Sequence, residues 1–231
     1  MKTKIISILF LLLLIAITGK AQEQVQAQEQ VKVEEQPQGV QKLFKVLSVK
    51  FTSGWYNPKM DYWNNTYLPA VGVTETFVGN ISIGGDVTFA LPYNLRARVG
   101  ISYWSDKVKG NESSTINSLH IDFTRFRLGA VYAPKVASFS GFQPYIGIDG
   151  QFFLIQNKLD DGSKTTEQQG QDYSFAPVIG IDRSFGNFIV AAEFMYNLGG
   201  YTQELKDGIS TVKQKISIAG PEVTISLGYS F

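Results

Sequence analysis

The sequence predicts an all-β fold, an eight-stranded antiparallel up-and-down β-barrel of the transmembrane kind. Three observations carry that prediction. From Phe44 onward apolar and polar residues alternate with period two; the connections between the alternating segments are short and long in turn; and aromatic residues gather near the segment ends. The composition agrees, because 22 Gly and 13% aromatic residues beside only 18% charged residues favour strands over helices. With 21 Lys and Arg against 20 Asp and Glu, the net charge of +1 gives no electrostatic footprint for nucleic acid, which is excluded as a partner. The absence of Cys rules out disulfides, Cys-ligated metal centres and a thiol nucleophile, and the single His leaves little for other metal sites.

The first segment reads as an export signal. Lys2 and Lys4 precede an apolar run from Ile5 to Ile17, and Gly19, Lys20 and Ala21 form a small-x-small cleavage pattern, so processing is expected after Ala21. The run is shorter than the ~20 residues of a membrane-spanning helix. Removing residues 1–21 takes away Lys2, Lys4 and Lys20 and no acid, leaving 18 basic against 20 acidic groups. Residues 22–43 are rich in Gln and Glu, with no aromatic residue, and too few apolar side chains to offset the entropy of ordering; they read as a flexible leader. Residues 44–231 form the barrel domain.

Within that domain the faces separate cleanly. Phe77, Ile81, Ile83, Val87, Phe89 and Leu91 share one parity, and Asn80, Ser82, Gly84, Asp86 and Thr88 the other. After a turn at 92–94, Leu95, Ala97, Val99, Ile101 and Tyr103 alternate with Arg96, Arg98, Gly100 and Ser102. Similar segments cover about 44–56, 116–132, 142–154, 172–183, 188–198 and 217–231. The turns 92–94, 133–141 and 184–187 interleave with longer polar connections at 57–76, 105–115, 155–171 and 199–216, the asymmetry of periplasmic turns and extracellular loops. Tyr93, Tyr132, Tyr145, Phe185, Phe188, Tyr229 and Phe231 fall near the turn ends; Trp55, Tyr56, Tyr103, Trp104, Tyr173, Tyr196 and Tyr201 fall near the loop ends. Two interfacial girdles are expected.

The last segment carries a resemblance. Val223, Ile225, Leu227, Tyr229 and Phe231 alternate with Thr224, Ser226, Gly228 and Ser230 up to a terminal Phe. This resembles the barrel-assembly signal of Gram-negative outer-membrane proteins, and the run from Pro144 to Gly150 looks like a strand opening common among them. From Phe44 to Phe231 the chain resembles the OmpA/OmpX-type small barrels and the loosely defined porin-family β-barrel domain. The resemblance implies residence in the outer membrane with a periplasmic N-terminus. The implied partners are outer-membrane lipid, lipopolysaccharide and the assembly machinery, and the role is structural or one of surface interaction. It implies no cofactor and no enzymatic activity, and no peptidoglycan-binding domain is visible.

With the apolar parity toward lipid, the lumen receives Lys50, Arg96, Arg98, Arg125 and Arg127 together with Asp86, Asp149, Asp182, Glu193 and Glu222. Five cations against five anions suggest a salt-bridge plug, with a gated ion path as the alternative. Counting back from the 92–94 turn sets Thr88 opposite Arg98, so an Asp86–Arg98 diagonal pair is expected. In strand four Leu119, Ile121 and Phe123 share one parity, whereas Phe126, Leu128, Ala130 and Tyr132 share the other. A bulge near Thr124 and Arg125 would return both sets to the lipid face. Without one, Ser118, His120 and Asp122 project outward at the extracellular rim. That trio is the one set with a catalytic reading, a nucleophile, base and acid of a lipid-modifying barrel enzyme; alternate strand residues lie ~7 Å apart, too far for hydrogen bonds along one strand.

Loop one holds Trp55, Tyr56, Tyr62, Trp63 and Tyr67, which either contact an extracellular protein or glycan or fold over the mouth and bury one another. The segment 156–171 reads as a solvated hairpin tip. A second reading of the whole chain, a soluble exported lipocalin-like carrier, needs the reverse polarity, with the charged parity outward and an apolar ligand inside.

Overall fold

The computed structural model describes residues 45–135, 140–207 and 210–231, with side chains placed except at 204–212. The expected export signal (1–21) and leader (22–43) lie outside the described residues. Eight strands close a barrel: β1 (Lys45–Tyr56), β2 (Asn80–Ala90), β3 (Leu95–Lys109), β4 (Ser118–Tyr132), β5 (Phe142–Asp160), β6 (Thr165–Phe185), β7 (Phe188–Asn197) and β10 (Gly220–Ser230). Each pairs antiparallel with its sequence neighbour in the barrel, and β10 closes on β1. Closure leaves no barrel strand with an unpaired edge, the condition under which sheet backbone can meet lipid.

Two further strands, β8 (Gly200–Asp207) and β9 (Ser210–Ser217), form a hairpin outside the barrel within the last long connection. Of the segments expected as loops, 155–171 is largely strand, since β5 and β6 pair continuously up to Asp160 and Thr165, and the first part of 105–115 is strand, since β3 runs to Lys109. At the opposite end, Tyr93 and Asn94 both take φ of 61°, the left-handed pair that matches the twist of a tight hairpin.

β4 pairs without a register shift from Ser118 to Tyr132 on both sides, so of the two readings of this strand the one without a bulge at Thr124 and Arg125 holds. A register irregularity lies instead in β1, between Val46 and Ser48. With β4 straight, Leu119, Ile121 and Phe123 point inward beside Arg125, Arg127 and Val131, while Phe126 and Leu128 point outward. The parity break is a reversal of which face of the strand is apolar. In the lower barrel the outward row is apolar and the inward row polar; above Thr124 the order reverses, as in a protein whose exterior faces water.

The segment after β1 explains how that upper half is filled. A short helical stretch, Trp63–Tyr67 followed by Leu68–Ala70, turns loop one back over the barrel mouth. Asn64 braces it by exchanging two hydrogen bonds with the backbone of Phe77, both at 2.9 Å. Phe77 is therefore buried in the cap, not aligned with the outward-facing apolar residues of β2.

Candidate functional site: the lumen and its cap

Along the inside of the barrel, from the short-turn end upward, the chemistry changes in layers. First comes a cavity of about 120 Å³ whose lining includes Ser48, Lys50, Thr88, Arg96, Arg98 and Tyr145. Arg96 pairs with Asp182 at its rim. Next is a belt in which Arg98 holds Asp149 at 2.5 Å and Glu193 at 2.7 Å, Lys50 holds Asp86 at 3.3 Å, and Arg127 approaches Asp86 at 3.8 Å. Above it Arg125 grips both oxygens of Glu222, which also accepts from Ser82 and Asn197. Gly129 clears space for the belt, because a Cβ there would collide with the Asp149 carboxylate.

All ten charged residues thus lie on the inward parity, nine of them buried and Arg96 partly exposed at the rim. One expected contact is corrected. Asp86 and Arg98 do not pair, although Thr88 does stand opposite Arg98. Arg98 instead reaches across the lumen to β5 and β7, and Asp86 is taken by Lys50 on the adjacent strand and by Arg127. A guanidinium can span a narrow barrel, so the nearest strand does not dictate its partner.

The top layer is apolar. Trp104 stacks on Phe123 with centroids 4.7 Å apart, Phe153 meets Phe123 edge-on, and Tyr56 packs on both Trp104 and Phe123. Trp63, Leu68, Leu119, Ile121, Ile155, Ile216 and Ile218 complete this core. Trp63 Nε1 donates to Tyr201 Oη at 3.2 Å, joining loop one to the β8–β9 hairpin, and burial pushes the Tyr201 phenol up to about 12.

Of the loop-one aromatics offered as exposed contacts, Tyr56 and Trp63 are buried and Tyr62 and Tyr67 are packed against the core. Trp55 is exposed on the outer face of β1. Of the two readings of loop one, this is burial over the mouth, with Trp55 alone of the five left outside. Four residues assigned to the girdles, Tyr56, Trp104, Tyr145 and Tyr201, are likewise inside. The folding of loop one over the mouth is the second of the two readings its sequence offers, whereas the inward placement of Tyr145 was missed; adjacency was a further signal for the cap, because Trp55 with Tyr56, and Tyr103 with Trp104, cannot both face outward on one strand.

The outward surface has three zones. Val99, Leu128, Ile148, Phe175, Ile179 and Ile225 belong to an apolar band. Below it lie Tyr93, Tyr132, Phe185, Phe188, Tyr229 and Phe231, and at its upper edge Trp55, Tyr103 and Tyr173. Above that edge the face turns polar. The charged parity is inward at the level of the band, which is the reverse of a soluble carrier.

His120 and Asp122 project outward in the polar zone, and their side chains meet at 3.1 Å, closer than backbone spacing alone suggests, because neighbours on one face can lean together. The serine that meets His120 is Ser105, at 2.6 Å, not Ser118. Both contacts fall on the same nitrogen, Nε2. A nucleophile relay needs the acid on one ring nitrogen and the hydroxyl on the other, so this geometry does not make one. Asp122 is further engaged by Tyr103 Oη and by Lys158 at 3.4 Å. Among the described residues no cluster of His, Asp or Glu could hold a metal ion.

No protein-family model matches the chain, and no curated protein matches it. Among solved structures it is similar to the outer membrane protein OprG from Pseudomonas aeruginosa, at 14% identity and a TM-score of 0.54, covering 80% of this chain and 94% of that one. It is also similar to the outer membrane protein AlkL, solved in lipid bilayers, at 14% identity and a TM-score of 0.51, covering 87% and 96%. The likeness is one of fold: this closed eight-stranded barrel is an architecture found in outer-membrane proteins.

Proposed function

We propose that this protein is an integral barrel of a Gram-negative outer membrane, with its short turns and N-terminus on the periplasmic side. Its role is structural or one of surface interaction. The observation that carries this reading is the outward apolar band, edged by aromatic rings on both sides and giving way to polar side chains where the lumen turns apolar. Such a polarity profile suits a bilayer below and water above. The paired charges beneath the apolar cap support a closed lumen, and a dry layer of this kind opposes ion conduction.

Lipid and lipopolysaccharide are the proposed neighbours of the band, and residues Val223, Ile225, Leu227, Tyr229 and Phe231 the proposed signal to the assembly machinery. Four of the loop-one aromatics are spent on the cap. Contact with an extracellular protein or glycan therefore falls to the tall β5–β6 hairpin, whose tip at 161–164 is exposed.

Val99→Arg tests the reading. Val99 lies midway in the band, and a cation there should lower stability against urea in lipid vesicles by about 2–4 kcal/mol. A Val99→Arg protein that folds fully without lipid or detergent would contradict a membrane location.

A further inference from the structure

Strand β6 carries a cation where its outward row is otherwise apolar. Pro177, Ile179, Ile181, Arg183 and Phe185 share the outward parity, while Asp182 points inward to Arg96. Arg183 stands in register with Phe142 of β5 and Val190 of β7, one row above the Phe185–Phe188 pair of the lower girdle. Its guanidinium lies between two rings, with Cζ 4.8 Å from the centroids of both Phe142 and Phe185. Those rings hold the group at a fixed height and leave its N–H edges free, because cation–π contact uses the face of the guanidinium.

Among the described residues no carboxylate pairs with Arg183 and no acceptor is hydrogen-bonded to it. Neither flanking stretch, 133–143 or 183–192, contains an Asp or Glu, and 133–143 adds a second cation, Lys135. An unpaired guanidinium beside hydrocarbon is costly unless it reaches an anion, and at the edge of a bilayer the anion within reach is a lipid phosphate. We propose that Arg183, clamped by Phe142 and Phe185, binds the phosphodiester of a phospholipid in the periplasmic leaflet. This rests on the outer-membrane reading above. The planar fork suits two phosphate oxygens, and the clamp distinguishes a built site from a long side chain that merely reaches water.

Native mass spectrometry of the folded protein released from detergent micelles tests this. The probes are phosphatidylglycerol, phosphatidylethanolamine, phosphate-free diacylglycerol and inorganic phosphate. The wild type should retain one molecule of either phospholipid and neither of the other probes. Arg183→Gln should lower the retained fraction roughly tenfold, the loss expected for a charge-assisted hydrogen bond. Phe142→Leu with Phe185→Leu should lower it with the charge kept, and Arg183→Lys, which keeps charge without the fork, gives a second variant if Arg183→Gln does not fold.

Equal retention by wild type and the Arg183 variants overturns the site. So does equal retention of diacylglycerol, and retention of inorganic phosphate overturns the lipid assignment. Folding is checked by the shift in gel mobility on boiling. A wild type with no such shift in any lipid or detergent would overturn the outer-membrane reading itself, whereas a shifted wild type with unselective lipid retention would overturn the Arg183 site alone.

Discussion

Glu222→Gln should destabilise the folded protein in lipid vesicles by about 3–5 kcal/mol, because it leaves Arg125 as a buried charge without a counter-ion. Glu222 is 1% exposed and Arg125 3% exposed, and no bulk water is available to solvate the guanidinium. Ser102 and Asn197 would still accept from Arg125, but neither carries charge. The double variant Arg125→Met with Glu222→Leu should recover much of the loss, since a packed apolar pair can replace a buried ion pair at little cost. Urea titration of Arg125→Met, Glu222→Leu and the double made from them gives the coupling directly. Additive losses would mean that the two groups do not interact.

Phe123→Ala should cost about 3–5 kcal/mol, the usual range for emptying an aromatic site in a packed core. Phe123 is 1% exposed and touches the rings of Trp104, Tyr56 and Phe153. Phe126, three residues on, faces outward, where lipid chains can fill the space an alanine leaves, and Phe126→Ala should lose distinctly less by the same titration. Equal losses would mean that the two rings share one environment.

The strand count and the inward charges were legible because the strands at the level of the apolar band show full contrast between their faces, as in Ile81, Ile83, Val87 and Phe89 against Ser82, Gly84, Asp86 and Thr88. Above the band that contrast fades. Gln156, Asn157 and Lys158 are polar on both faces, as are Thr165 to Gln171, so the upper parts of β5 and β6 read as a loop although their backbones pair throughout. The β8–β9 hairpin was less legible because Gln203 and Gln214 interrupt the apolar parity of Tyr201 and Leu205 and of Val212 and Ile216. The parity shift after Phe123 was visible, and a bulge and a change of medium both produce it; pairing across β3, β4 and β5 decides between them. Arg98 shows the other limit. Which acids it meets depends on how the barrel's curvature sets β5 and β7 opposite β3, and that is not written in the spacing along any one strand.

The central claim is that the outer face of β4 passes from lipid to water at Thr124. Because the chain has no Cys, single cysteines at His120, Phe126 and Leu128 can report this without a background to remove. Intact cells would be treated with a membrane-impermeant maleimide, and the same variants labelled again after unfolding in urea. His120→Cys should react on intact cells, Phe126→Cys and Leu128→Cys should be protected, and all three should react once unfolded. Labelling of Leu128→Cys on intact cells as fast as His120→Cys would contradict the account.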